Sequence, residues 1–156
     1  NIILFSQNFF FSFYPAKKVT KKDAEVDWNK KTAEEVFNLY RAINHIYNLS
    51  TSWFDHPVKL LHIKLDSVID FNPANRVAIE QSGFTNFICP GLVEFSPSRS
   101  VIRVQCKDGR WINISTILMS GKKTGKTCLS AIEFFNGYVT KVEFTLDRKF
   151  CSQLKE

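Results

Sequence analysis

Apolar residues recur along this chain with two periods, and the switch between them divides it. Val36, Leu39, Tyr40 and Ile43 fall at i, i+3, i+4 and i+7, the spacing of one buried helical stripe. Thr32 and Glu35 flank the start of that helix as a capping box, in which the hydroxyl accepts from the N3 amide and the carboxylate reaches back. Arg41 falls off the stripe and is expected to be at least partly exposed. From Thr51 the period becomes two, as in strands with one buried face. Thr51 to Phe54 and Val58 to Leu65 are predicted to pair as a hairpin around Asp55-His56-Pro57. Leu61, Ile63 and Leu65 alternate there with His62 and Lys64, and the slip at Leu60-Leu61 predicts a bulge or a doubly buried corner.

A second hairpin fixes its own register. Ile102, Val104 and Cys106 alternate with Arg103, Gln105 and Lys107, and Ile112 and Ile114 follow Asp108-Gly109. A two-residue turn would set Val104 opposite Asn113 and mismatch the apolar faces. A three-residue loop, Lys107 to Gly109, pairs Val104 with Ile112 and Ile102 with Ile114, with Gly109 left-handed in a bulge. Ser130 and Glu133 form a second capping box, opening a helix through Phe135 that is expected to end near Gly137. Residues 67–89 are poorly periodic and read as an insertion. Five strand runs with two flanking helices suit a mainly β fold, a small Greek-key barrel of the OB type.

Length and composition are those of one folded domain: 156 residues, 44% hydrophobic and 14% aromatic. Asn1 to Phe13 stand apart, with no charge and five of the fifteen Phe residues. They are too short for a membrane span and lack the basic flank of a signal peptide. We read them as lying outside the domain, or as translated T-rich intron sequence; a transcript continuous through the Phe run would sink the second idea. Tyr14 to Lys22 reads as an extended basic linker, with Pro15 keeping its neighbour out of helix.

The formal charge of +6 points to a polyanionic partner. It is concentrated at Lys17, Lys18, Lys21 and Lys22, and again at Lys122, Lys123 and Lys126. Cys89, Cys106, Cys128 and Cys151 lack the close pairing of a zinc site, so no metal is expected and free thiols are. His45, His56 and His62 are scattered, without the orienting partner a catalytic or ligating histidine needs. Ser120 to Thr127 mimics a nucleotide-binding loop but has Ser120 where the first glycine is required. Trp28 and Trp53 are expected in the core; for Trp111, packing and base stacking both stay open.

Several segments in order carry a family likeness. Asp23-Ala24-Glu25-Val26-Asp27-Trp28, with the helix ending Leu39-Tyr40-Arg41-Ala42-Ile43, resembles the start of the C-terminal domain of methionyl-tRNA formyltransferase. Pro90-Gly91-Leu92-Val93-Glu94 looks like that family's Pro-Gly-x-(Val/Ile) strand start. Gly121-Lys122-Lys123, then Leu129-Ser130-Ala131 and the helix through Phe135-Asn136, extend the likeness to roughly Tyr14 to Val139. The resemblance implies an OB-like domain over 23–145, with 146–156 as a tail. It also implies that the domain holds initiator methionyl-tRNA, while formyl transfer from 10-formyltetrahydrofolate occurs in an N-terminal domain. That domain's Asn, His and Asp have no counterpart here, so no catalytic residue and no cofactor is assigned, and this chain alone is expected to be inactive.

On that reading Lys122, Lys123 and Lys126 form a flexible loop aimed at tRNA phosphates, joined by Lys17, Lys18, Lys21, Lys22 and Arg41. A mobile ammonium finds phosphates without fixed geometry, and each contact adds affinity by counterion release. The text Phe37 to Ile43 is similar to the mitochondrial branch, which implies a mitochondrial protein; a monomer without a membrane partner is expected. Two other readings stay open. One is a structural C-terminal domain of a related folate-dependent enzyme that binds no RNA. The other is a stand-alone OB module for single strands, which needs exposed aromatics in a basic groove.

Overall fold

The computed structural model describes residues 17–54, 56–66, 88–121, 125–144 and 147–151, with backbone alone at 120, 121 and 125–127. A 3-10 turn at Lys21–Ala24 leads into α1 (Ala33–Ile43). Strands β1 (Leu49–Trp53), β2 (His56–Leu65), β3 (Val93–Ser96), β4 (Val101–Gln105), β5 (Trp111–Gly121) and β6 (Gly125–Ser130) follow. Helix α2 (Ala131–Phe134) then widens into a π-helical turn, Phe135–Val139, and β7 (Phe150–Cys151) comes last.

Both capping boxes form. Glu35 N donates to Thr32 Oγ1 at 3.3 Å while Thr32 N donates to Glu35 Oε2 at 2.8 Å. Ser130 and Glu133 repeat the exchange at 3.4 and 2.7 Å. Val36 and Ile43 of α1 are buried, with Leu39 and Tyr40 packed at the edge of the same core, as the stripe requires.

The strands make one antiparallel sheet in the order β3-β4-β5-β2-β1-β7, with β6 also pairing with β5. A bridge from Leu92 to Lys149 joins the two outer edges, so the curled sheet meets itself. β5 is long enough to serve three neighbours. Residues 112–119 pair with β2, while on the other side 111–114 pair with β4 and 116–121 with β6. The buried set shifts phase in step on both central strands, from Leu60 and Ile117 to Ile63 and Ile114. His62, at φ 53, sits at the shift, and the pairing skips His62 and Ser115 without changing register. The corner expected at Leu60-Leu61 is thus real but lies one residue on, and it bends both strands rather than inserting a residue in one.

The Lys107–Gly109 loop is as expected. Val104 pairs with Ile112 and Ile102 with Ile114; Gly109, at φ 76, donates to the Cys106 carbonyl. Other expectations need correction. The first hairpin closes with Trp53 paired to His56, so its turn precedes His56, and Pro57 lies in β2 opposite Ser52. The second helix runs past Gly137 to Val139. Gln105 is buried rather than solvated: it accepts from Cys89 N at 2.8 Å and donates to Gly109 O at 3.3 Å. The stretch read as a linker includes Val19, which packs on the core, and runs into the 3-10 turn at Lys21 and Lys22. Phe150, in the stretch read as a tail, is buried among Trp28, Trp53 and Phe134, with ring centroids 5.5–6.1 Å away. Residues 67–87 and 1–16 lie outside the described residues.

Candidate nucleic-acid interface

One row of outward positions crosses the sheet and its flank. Glu25 bridges Ser50, Ser50 pairs with Lys59, Lys59 with Leu118, and Leu118 with Cys128. Val58, Leu60, Ile117 and Met119 beside this row are buried, so the row itself belongs to the outer face. At one end stands the 3-10 turn. Asp23 holds that turn by accepting from Thr20 N and Thr20 Oγ1 at 2.7 and 2.8 Å. Those bonds, chiefly the backbone one, hold the Asp23 carboxyl below its ordinary value. At the other end Lys126 pairs through its backbone with Ser120, two residues along β6 from Cys128.

The 3-10 turn with its lysines and the backbone of Lys126, about a hundred residues apart in sequence, therefore flank one face from opposite sides. Lys17, Lys18, Lys21 and Lys22 are all exposed. Lys126 lies in β6 rather than in a flexible loop; Lys122 and Lys123 fall outside the described residues. Arg41 is exposed on α1, its guanidinium 5.8 Å above the Phe37 ring, and does not join the row.

Between the 3-10 turn and the first hairpin lies a groove of about 240 Å³, lined by Lys21, Glu25, Tyr47, Asn48, Ser50 and Lys59 over an apolar floor. Lys59 has no special mark in the sequence. Its importance comes only from the pairing that sets it beside Ser50 and across from Lys21.

A second polar cluster escapes a sequence reading altogether. Asp66, just past β2, accepts from Arg99 Nη1 at 2.6 Å, Arg103 Nη2 at 2.9 Å and Asn113 Nδ2 at 3.2 Å. Burial opposes ionisation of this carboxyl. The hydrogen bonds from Asn113 and Arg99 and the charge of Arg103 outweigh it and hold the group below its ordinary value. Arg103 also lies 4.9 Å above the Trp111 ring, so Trp111 is half-buried with one face covered. Trp28 and Trp53 are core residues; Trp28 Nε1 donates to Thr51 Oγ1 at 2.9 Å.

All four cysteines are free, with Cys89 and Cys106 buried. Burial pushes the Cys106 thiol up to about 12, so it is inert as a nucleophile. Among the described residues no group of three His, Cys, Asp or Glu side chains could hold a metal. His45, His56 and His62 are exposed, and His62 Nδ1 lies 3.2 Å from Thr116 Oγ1.

Fold and surface together define a small, mainly β domain with exposed lysines beside its outer face. The family described as formyl transferase, C-terminal domain, matches residues 18–139. The chain is 32% identical over 126 residues to the mitochondrial methionyl-tRNA formyltransferase of Bos taurus, covering 80% of this chain and 28% of that protein. Identity to the Homo sapiens mitochondrial enzyme is 30% over 124 residues, with the same coverage, 80% and 28%. To the methionyl-tRNA formyltransferase of Fusobacterium nucleatum subsp. nucleatum it is 25% over 126 residues, covering 81% and 34%. This chain belongs to the formyl transferase C-terminal domain family. It spans 28% of the length of its mammalian mitochondrial relatives.

Proposed function

We propose that this chain is the tRNA-binding C-terminal domain of a mitochondrial methionyl-tRNA formyltransferase. It holds initiator methionyl-tRNA for transfer of a formyl group from 10-formyltetrahydrofolate in a separate catalytic domain. The observation that carries the reading is the set of exposed lysines at 17, 18, 21 and 22 beside Lys59 on the outer face, in a domain of this family. The names of the mammalian relatives support the mitochondrial setting. Lysines on such a face position RNA through its phosphates and do not read bases.

The binding experiment uses the whole chain with labelled initiator and elongator tRNAs at low salt. Replacing Lys17, Lys18, Lys21 and Lys22 together with Ala should weaken both complexes by at least about tenfold, and to a similar degree. Unchanged affinity in a folded variant would overturn the assignment of that cluster. A specific feature supports a second reading, a structural domain that packs on protein. Phe54, Ile132 and Phe144 are 52%, 49% and 69% exposed, apolar side chains that a neighbouring domain would cover. Failure of the wild-type chain to bind any tRNA would favour it.

A further inference from the structure

Polar groups without partners converge on the groove between the 3-10 turn and the first hairpin. Among the described residues, the ammonium groups of Lys21 and Lys59, the Tyr47 hydroxyl and the Asn48 amide make no side-chain hydrogen bond or ion pair. All four line the same concavity. Its floor includes Ala24 and Val58, both buried, and Pro57. Two cations against the single carboxylate of Glu25 leave the groove net positive. An apolar floor with a few convergent polar groups is the usual build of a ligand site. At about 240 Å³ the space is smaller than sites for drug-sized molecules and far too small for a duplex.

We infer that this groove is a subsite for one unpaired ribonucleotide of the bound RNA, its phosphate between Lys21 and Lys59 and its base against Tyr47. The inference deepens the RNA-binding reading and rests on it. The chemistry fits each part of such a unit. An ammonium pair suits a phosphate, and the Tyr47 ring offers a face on which any base can stack. The Asn48 amide can both donate to and accept from a ribose hydroxyl or a base edge, which is how proteins read unpaired RNA. Lys59 lies in the middle of the sheet, its backbone held by β1 on one side and β5 on the other, so the site has one rigid wall.

The test is an amide NMR titration of the whole chain with ribonucleoside 5′-monophosphates, and separately with inorganic phosphate. Monophosphates should give saturable shifts at Asn48, Ser50 and Lys59; phosphate alone should shift Lys59 and bind more weakly. Lys59→Ala should weaken monophosphate binding about tenfold, and Tyr47→Leu, which keeps apolar packing, should weaken it by a similar factor. Equal shifts with phosphate and with monophosphate would overturn the nucleotide assignment, as would shifts insensitive to both variants. The same two variants are assayed on tRNA. Wild-type tRNA binding with no monophosphate shifts in the groove overturns the subsite and leaves the RNA-binding reading standing. Loss of all tRNA binding by the wild type overturns that broader reading instead.

Discussion

Replacing Asp66 with Asn removes one negative charge that three side chains share. Arg99 and Arg103 keep 38% and 31% of their side-chain surface in water, whereas Asp66 keeps 14%. An exposed pair contributes roughly 0–1 kcal/mol, and breaking a fully buried one costs roughly 3–5 kcal/mol. The arginines can recover part of their hydration, so the expected cost at pH 7 is about 2 kcal/mol. The pH dependence has a definite sign. The folded carboxyl titrates below its ordinary 3.8, so its contribution is complete above that value and disappears as pH falls through the lower, folded one. Protonated Asp66 then resembles the Asn variant, and the two proteins should converge. Asp23, Glu35 and Glu133 are also held low by their caps, but they titrate alike in both proteins and cancel in the difference. Urea unfolding followed by tryptophan fluorescence at a series of pH values measures the gap. A gap below about 0.5 kcal/mol at pH 7, or one that stays constant into acid, would refute the shared-carboxylate account.

Gly91→Ala should cost more than about 2 kcal/mol, because φ is +84 and the new Cβ would lie 2.5 Å from the Phe150 carbonyl oxygen. A thermal scan showing wild-type stability would contradict that closure of the sheet. Val104→Ala should cost about 2 kcal/mol and Gln105→Ala about 1–3 kcal/mol, the latter by stranding the Cys89 amide, while Lys107→Ala should be nearly neutral. Denaturant midpoints ordered otherwise would put the β4–β5 register in error. Changing Lys122, Lys123 and Lys126 to Ala should flatten the plot of log tRNA affinity against log salt by roughly 0.7–0.9 for each phosphate no longer neutralised, and an unchanged slope would remove that loop from the interface.

Local devices were legible in the sequence because their information is local. Both capping boxes and the Lys107–Gly109 loop are set by residues within a few positions of one another. Errors arose where distant packing decides. Pro57 reads as a turn residue, yet it stands at the start of β2, where β5 has not begun to pair and a missing amide costs little. The turn is pulled forward to Phe54, at φ 51, as Trp53 is anchored against Phe134 and Phe150 and Phe54 packs edge-on to it at 5.2 Å. Gln105 alternates like a solvated residue and is buried because the Cys89 amide needs an acceptor. Arg103 alternates the same way but is tied down by Asp66 and Trp111. The lysine clusters are plain in the sequence. The place of Lys59 on the outer face, beside Ser50 and across from Lys21, depends on strand register, which no local pattern encodes.

On the proposed function, this domain holds tRNA by its phosphates through its exposed lysines. Affinity of the intact chain for tRNA, measured from about 50 to 200 mM salt, tests it most directly. Engagement of the four exposed N-terminal lysines and Lys59 should give a slope of roughly −3 to −5 in log affinity against log salt. A slope near zero, or no complex at the lowest salt with the chain folded, would contradict the account.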